Sequence, residues 1–179
     1  MVRYYPGTDR VHGVLIDFDL ASVGRPKTEG HSGKRNGTRL FMSKELLVPN
    51  PPAHLERFDW ESFFYVICWI ASHFSHGDEV STDAFQTWFD SRDSVLLCIK
   101  SVFLCGLSSK ELHDQFTDFY KPLISLWIYP LQRMFSDGNR ARVKFINEKD
   151  ERGDETMVFD EETLGGHVSW DRFWGILKQ

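Results

Sequence analysis

Residues 60–74, WESFFYVICWIASHF, place eleven apolar side chains in fifteen positions, spread all round a helical wheel. A helix without a polar face must be surrounded by protein on most sides. The rest of the chain is therefore expected to pack around this segment. A central helix is predicted over 59–75, with Asp59 placed to cap it and Phe58 placed to pack on Phe63 as a hydrophobic staple. Residues 92–105 put Val95, Leu96, Ile99, Val102 and Phe103 on one helical face. Ser108 and Glu111 form a candidate capping box for the next helical stretch. That stretch runs through Phe116, Phe119, Tyr120, Leu123 and Trp127, and Pro122 and Pro130 are expected to divide it in two. Ser169 is a candidate cap for a last short helix. Only Val14-Leu15-Ile16, between Gly13 and Asp17, reads as a buried strand.

These elements describe one mainly α domain over 1–179, a size that suits a single core. Its apolar content of 41% supports a packed interior. A net charge of −5 argues against a nucleic-acid partner. The sequence holds no run of membrane-spanning length and no secretory pattern at its start, so the expected location is intracellular, cytoplasmic or nuclear, with no membrane partner. Cys68, Cys98 and Cys105 have no metal-ligand spacing, and two of them are expected to be buried thiols. His73 and His76 have helical metal spacing but no third ligand nearby, so they read as the polar end of the central helix.

The charge is uneven. Residues 25–39 hold five basic residues and one acid, and residues 137–163 hold nine acids and five bases. Both read as surface loops, the second as an acidic insertion. Thr28 and Ser32 in the basic loop are candidate phosphorylation sites, and the loop itself could dock an acidic partner.

Two motifs carry chemistry. VLIDFD, residues 14–19, ends a buried strand in carboxylates, the placement that phosphoryl-transfer sites use to hold Mg²⁺ against phosphate oxygens. Alone, it is equally an ordinary strand-to-turn junction. GTRLFMSKELL, residues 37–47, reads alone as a turn leading into a short helix. Their order is more specific than either. An apolar strand ends in Asp-Phe, a basic Ser/Thr-containing loop follows, then Gly-Thr-x-x-Phe-Met-x-x-Glu, then Asp-x-x-Ser opening an apolar helix.

That succession resembles the C-terminal lobe of a protein kinase, and most nearly the fungal-type protein kinase family. The matching stretches are GVLIDFDLA (13–21), GTRLFMSKELL (37–47), DWESFFYV (59–66) and TLGGHVSW (163–170). The resemblance implies a helical lobe with a short β-strand or hairpin remnant at its start, and ATP-dependent phosphorylation of Ser/Thr hydroxyls. It makes Asp17 the carboxylate that holds Mg²⁺ on ATP, and 17–45 the activation segment. Asp19 stands where most kinases have Gly. Thr38 would contact the catalytic base, and Glu45 would pair with a buried Arg. Arg92, Arg133, Arg140 and Arg142 are the candidate partners. Asp59 would cap the central helix and anchor the catalytic loop. Lys44 replaces the Pro usual before that Glu.

The sequence shows no Gly-rich loop, no Lys–Glu pair and no catalytic loop, and sixteen residues precede Asp17. The resemblance thus implies a lobe without its N-terminal partner, catalytically incompetent alone and binding Mg-ATP weakly. Its exposed face would need the missing lobe or a protein partner. A non-catalytic, protein-binding pseudokinase module is the alternative. VLIDFDLA also fits the opening motif of haloacid-dehalogenase-like phosphatases, with Asp17 as nucleophile and Asp19 as general acid/base, but that fold needs several parallel strands.

Overall fold

In the computed structural model, residues 2–4, 11–13, 38–106, 110 and 114–179 are described. The chain divides into two compact units, Met1–Lys34 and Arg35–Gln179. In the first, β1 (Val2–Tyr4) pairs antiparallel with β2 (Val11–Gly13), Val2 opposite Gly13. Asp17, Asp19, Thr28, Ser32, the strand expected at 14–16 and the Ser108/Glu111 capping box all lie outside the described residues.

The second unit is helical, built on α1 (Glu56–His73). Phe64, Tyr65, Cys68 and Ala71 of α1 are buried at its centre. A two-residue hairpin follows, β3 (Phe74–Ser75) with β4 (Asp78–Glu79), and then α2 (Gln86–Asp90) and α3 (Asp93–Gly106). The long helix α4 (Tyr129–Arg152) and the short α5 (Trp170–Leu177) complete it. Leu96, Phe103 and Leu104 of α3, Leu131, Met134 and Phe135 of α4, and Phe173 of α5 close around α1 in one core.

Four details differ from the sequence expectations. First, α1 starts at Glu56, three residues before Asp59, so Asp59 lies inside the first turn and does not cap it. The extended residue before the helix, Leu55, has no capping side chain. The Glu56 N–H donates instead to the Glu162 carboxylate at 3.1 Å, a cap delivered from a distant segment. Phe58 and Phe63, five apart on one helix, do not share a face. Phe58 is buried, and Phe63 packs on Phe173 with centroids 6.0 Å apart.

Second, the inward face of α3 is rotated from the expected one. Leu96 and Phe103 are buried as expected and Ile99 packs against the core, but Lys100 and Leu104 are buried too, while Val95 and Val102 are exposed. A lysine takes a core position because its ammonium finds partners there.

Third, Pro130 does not break the helical run. It sits in the first turn of α4, directly after a wide π turn, Ile124–Ile128, in which the Tyr129 N–H reaches back to the Ile124 carbonyl. Proline lacks the N–H that a regular helix would require, and the wider turn absorbs the loss.

Fourth, the acidic loop expected over 137–163 is helix as far as Arg152. Leu131, Met134, Phe135 and Gly138 form the inward stripe at helical spacing. The charges beyond it stand on the solvent side, with Lys144 pairing to Glu148 one turn on. Gly153, left-handed at φ +61°, ends the helix. Of the cysteines, Cys68 is buried and Cys98 and Cys105 are exposed, because both lie on the outward side of α3.

No helix among the described residues is long and apolar enough to cross a membrane.

Candidate functional site: the docked segment 38–47

The Gly-Thr-x-x-Phe-Met-x-x-Glu motif runs into a tight turn and then a 3-10 turn at Lys44–Leu47. Thr38 is exposed, and its carbonyl accepts the N–H groups of Phe41 at 2.8 Å and Met42 at 3.2 Å. Leu40, Met42 and Leu47 turn inward and join the core. This alternation of an exposed hydroxyl with buried apolar anchors leaves Thr38 presented on a fixed turn.

Among the polar attachments that hold the segment, which include Arg39 to Asp93 at 2.7 Å and the Lys44 ammonium to Asn139 at 2.8 Å, two centre on carboxylates. Glu61 of α1 makes the first. Its carboxylate is buried and accepts from the Ser43 hydroxyl at 2.8 Å, the Lys44 backbone N–H at 2.7 Å and the Tyr65 hydroxyl at 2.7 Å. A carboxylate can be buried when its lone pairs are taken in this way. The interaction requires an N–H at position 44, so a proline there is incompatible with it. Proton loss from Tyr65 is opposed by burial and by the neighbouring Glu61 charge, which push its hydroxyl well above the usual tyrosine range. It stays a donor.

The second attachment is at Glu45. Arg57 of α1, 3% exposed, grips its carboxylate with both terminal nitrogens, at 2.8 and 2.9 Å. Arg142 of α4 adds a contact at 3.2 Å. Glu161 completes the cluster. Its carbonyl accepts from Arg57 Nε at 2.6 Å, and its carboxylate accepts from Arg142 at 3.1 Å. Burial pushes the Glu45 carboxyl up, but the Arg57 hydrogen bond and charge, with Arg142 and Lys44, outweigh it and hold the group below the usual carboxylate range.

Arg142 is one of the four partners named from sequence. Arg92, Arg133 and Arg140 do not contact Glu45 in any described interaction, and Arg140 instead meets Asp137 at 3.4 Å. The main partner, Arg57, was missed because it falls before the expected helix start. The signal available was a cation at 57 one turn before Glu61, on the side of α1 that faces segment 43–45. Asp59 faces outward and accepts from His54 at 3.1 Å. That hydrogen bond raises the His54 pKa against the opposing effect of burial.

The TLGGHVSW stretch explains how Glu161 and Glu162 are aimed. Leu164, Gly165 and Gly166 all have positive φ, +50°, +68° and +83°. The Thr163 hydroxyl bonds Asp160 and accepts from the Gly166 N–H, closing a rigid turn. Leu164 packs on α4 at Gly138, where an added Cβ would lie 2.9 Å from Leu164 Cβ. Ser169 then caps α5 by accepting from the Arg172 N–H.

Residues 1–71 match the family model for fungal protein kinase. The match covers less than half of the chain and is a likeness to that family over this stretch. It includes Asp17, Thr38, Glu45, Arg57, Asp59 and Glu61, whereas Lys100, Arg142 and Glu161 lie beyond it. Searches of curated proteins and of solved structures returned no match. Asp17 is outside the described residues, and among the described residues no group of three His, Cys, Asp or Glu is placed to hold a metal.

Proposed function

We propose that this chain provides the substrate-facing lower lobe of an ATP-dependent protein kinase acting on Ser and Thr hydroxyls. The supporting observation is the double attachment of segment 38–47, through Glu61 and through Glu45–Arg57, to the apolar central helix. Phosphoryl transfer depends on positioning, and a hydroxyl substrate needs a rigid ledge beside the base. In this reading Thr38 stands on that ledge and contacts a base Asp that is not among these residues. Asp17 holds Mg²⁺, which neutralises phosphate charge when bound. The Gly-rich loop, the Lys–Glu pair and the catalytic loop must come from elsewhere.

The deciding experiment reads the transcript upstream of residue 1 and assays the protein it encodes. An in-frame H-R-D-x-x-x-x-N loop and a β3 Lys, with phosphate transfer to Ser/Thr peptides that drops at least about 100-fold in Asp17→Ala, is the expected result. Absence of that loop, or transfer that survives Asp17→Ala, overturns it.

A non-catalytic protein-binding role is the second reading, favoured by one observation. Trp170 and Trp174 stack in parallel, 5.3 Å apart, and both stay more than two-fifths exposed. Exposed paired tryptophans are characteristic of binding surfaces. If the upstream loop is absent, this reading takes its place.

A further inference from the structure

The end of α3 and one stripe of α4 line a cleft of about 240 Å³. Gln132 of α4 fixes its width by donating to the Phe103 carbonyl of α3. Ser136, 5% exposed, lines the same cleft, and its hydroxyl has no hydrogen-bond partner among the described residues. Buried hydroxyls are normally partnered, so an orphan beside a cleft marks the place of a missing ligand atom. The charged side chains of the lining are two guanidinium groups, Arg133 and Arg140, and no carboxylate lines the cleft among the described residues. Arg133 lies three residues before Ser136 on α4 and Arg140 four after it, so both share its face of the helix. Arg133 forms no ion pair among the described residues. Arg140 meets Asp137 at 3.4 Å, a largely exposed pair of little strength that an anion in the cleft can replace.

We propose that this cleft binds a phosphomonoester, whose oxygens accept from the Ser136 hydroxyl and from Arg133 and Arg140. The proposal goes beyond the kinase reading and does not depend on it. Planar guanidinium groups match phosphate oxygens in pairs, and a hydroxyl between them supplies the remaining donor. The size of the cleft indicates an ester and not a bare anion. At about 30 Å³ per water, 240 Å³ holds about eight waters, more than the five heavy atoms of a phosphate fill. Tyr129 lines the rest, one turn before Arg133 and 40% exposed. An aromatic wall there suits an apolar or aromatic ester group.

Cys105 provides the test, because it is exposed and lines the cleft, whereas Cys98, also exposed, does not. Alkylation of both thiols by neutral iodoacetamide is followed by peptide mass spectrometry on the full chain at constant ionic strength. Phenyl phosphate should slow Cys105 severalfold and saturably and leave Cys98 unchanged. Inorganic phosphate should need a higher concentration for the same protection, and phenol should give none. Arg133→Gln and Arg140→Gln, both at exposed side chains, should each weaken protection about tenfold, as expected for a lost charged hydrogen bond. Arg152→Gln, at the far end of α4, should not. Ser136→Ala should weaken phenyl phosphate yet raise the melting midpoint of the ligand-free chain, since it removes an unsatisfied hydroxyl from a helix. Equal slowing of both cysteines, protection by phenol, equal potency of inorganic phosphate, or protection that survives both arginine substitutions overturns the proposal.

Discussion

Replacing Arg57 with Met tests the Glu45 attachment most directly. The side chain is 3% exposed and its partner carboxylate 14%, so the pair is close to fully desolvated. Removing one partner of a buried pair costs about 3–5 kcal/mol, because the remaining charge stays in a poor environment. Arg142 remains 3.2 Å from Glu45 and relieves part of that cost. The expected loss is therefore at the low end, about 3 kcal/mol at pH 7.5. With a urea slope of about 2 kcal/mol/M, the midpoint should fall by about 1.5 M. The pH dependence adds a second constraint. Burial raises the Glu45 carboxyl while Arg57, Arg142 and Lys44 bring it below its ordinary value. A depressed carboxylate contributes stability that is present above the unfolded pKa and is lost as pH falls through the folded one. Without Arg57, burial is opposed by less positive charge and the carboxyl rises. The gap between the two proteins should thus be widest at neutral pH and shrink as pH drops below about 4. Urea unfolding at pH 7.5 and pH 3.5 reads both effects. A loss under about 1 kcal/mol, or one of equal size at the two pH values, would refute the reasoning.

Other substitutions follow from the same geometry. Lys44→Pro deletes the N–H that Glu61 accepts at 2.7 Å and should cost about 1–3 kcal/mol by urea unfolding. Gly138→Ala gains up to about 1 kcal/mol of helix propensity but forces Cβ to within 2.9 Å of Leu164 Cβ, and a net loss of about 1–2 kcal/mol should appear in thermal melts. Cys98 and Cys105 should react with an aromatic disulfide reagent in the native state. Cys68, whose thiol burial pushes well above its usual range, should react only on unfolding.

The sequence made the central helix legible because eleven apolar residues in fifteen leave few other solutions. The order of the Asp-Phe, Gly-Thr and Asp-x-x-Ser motifs pointed to a resemblance to the fungal protein kinase family, and GTRLFMSKELL read as a turn leading into a short helix, which residues 38–47 form. The helix start was misplaced because its cap is the side chain of Glu162, which no local pattern reveals. The inner face of α3 was misread because Lys100 counts as polar until Met42, Tyr65 and Trp88 are seen around it. The second half of α4 looked like a loop because its apolar stripe ends near Gly138, and the charges beyond it continue the helix on the solvent side.

The bond from Arg57 to the Glu161 carbonyl spans 104 residues, and the one from Glu56 to Glu162 spans 106. A ribosome adds about 5–20 residues each second, so the first helix waits about 5–20 s for the chain that completes its end. Until then Arg57 has no Glu161, and the central helix begins with a bare N–H. A stalled or prematurely terminated product that lacks residues 160–166 would contain every motif up to α4 without the groups that fix the Glu45 cluster, and the nascent apolar helix would need shielding for that interval.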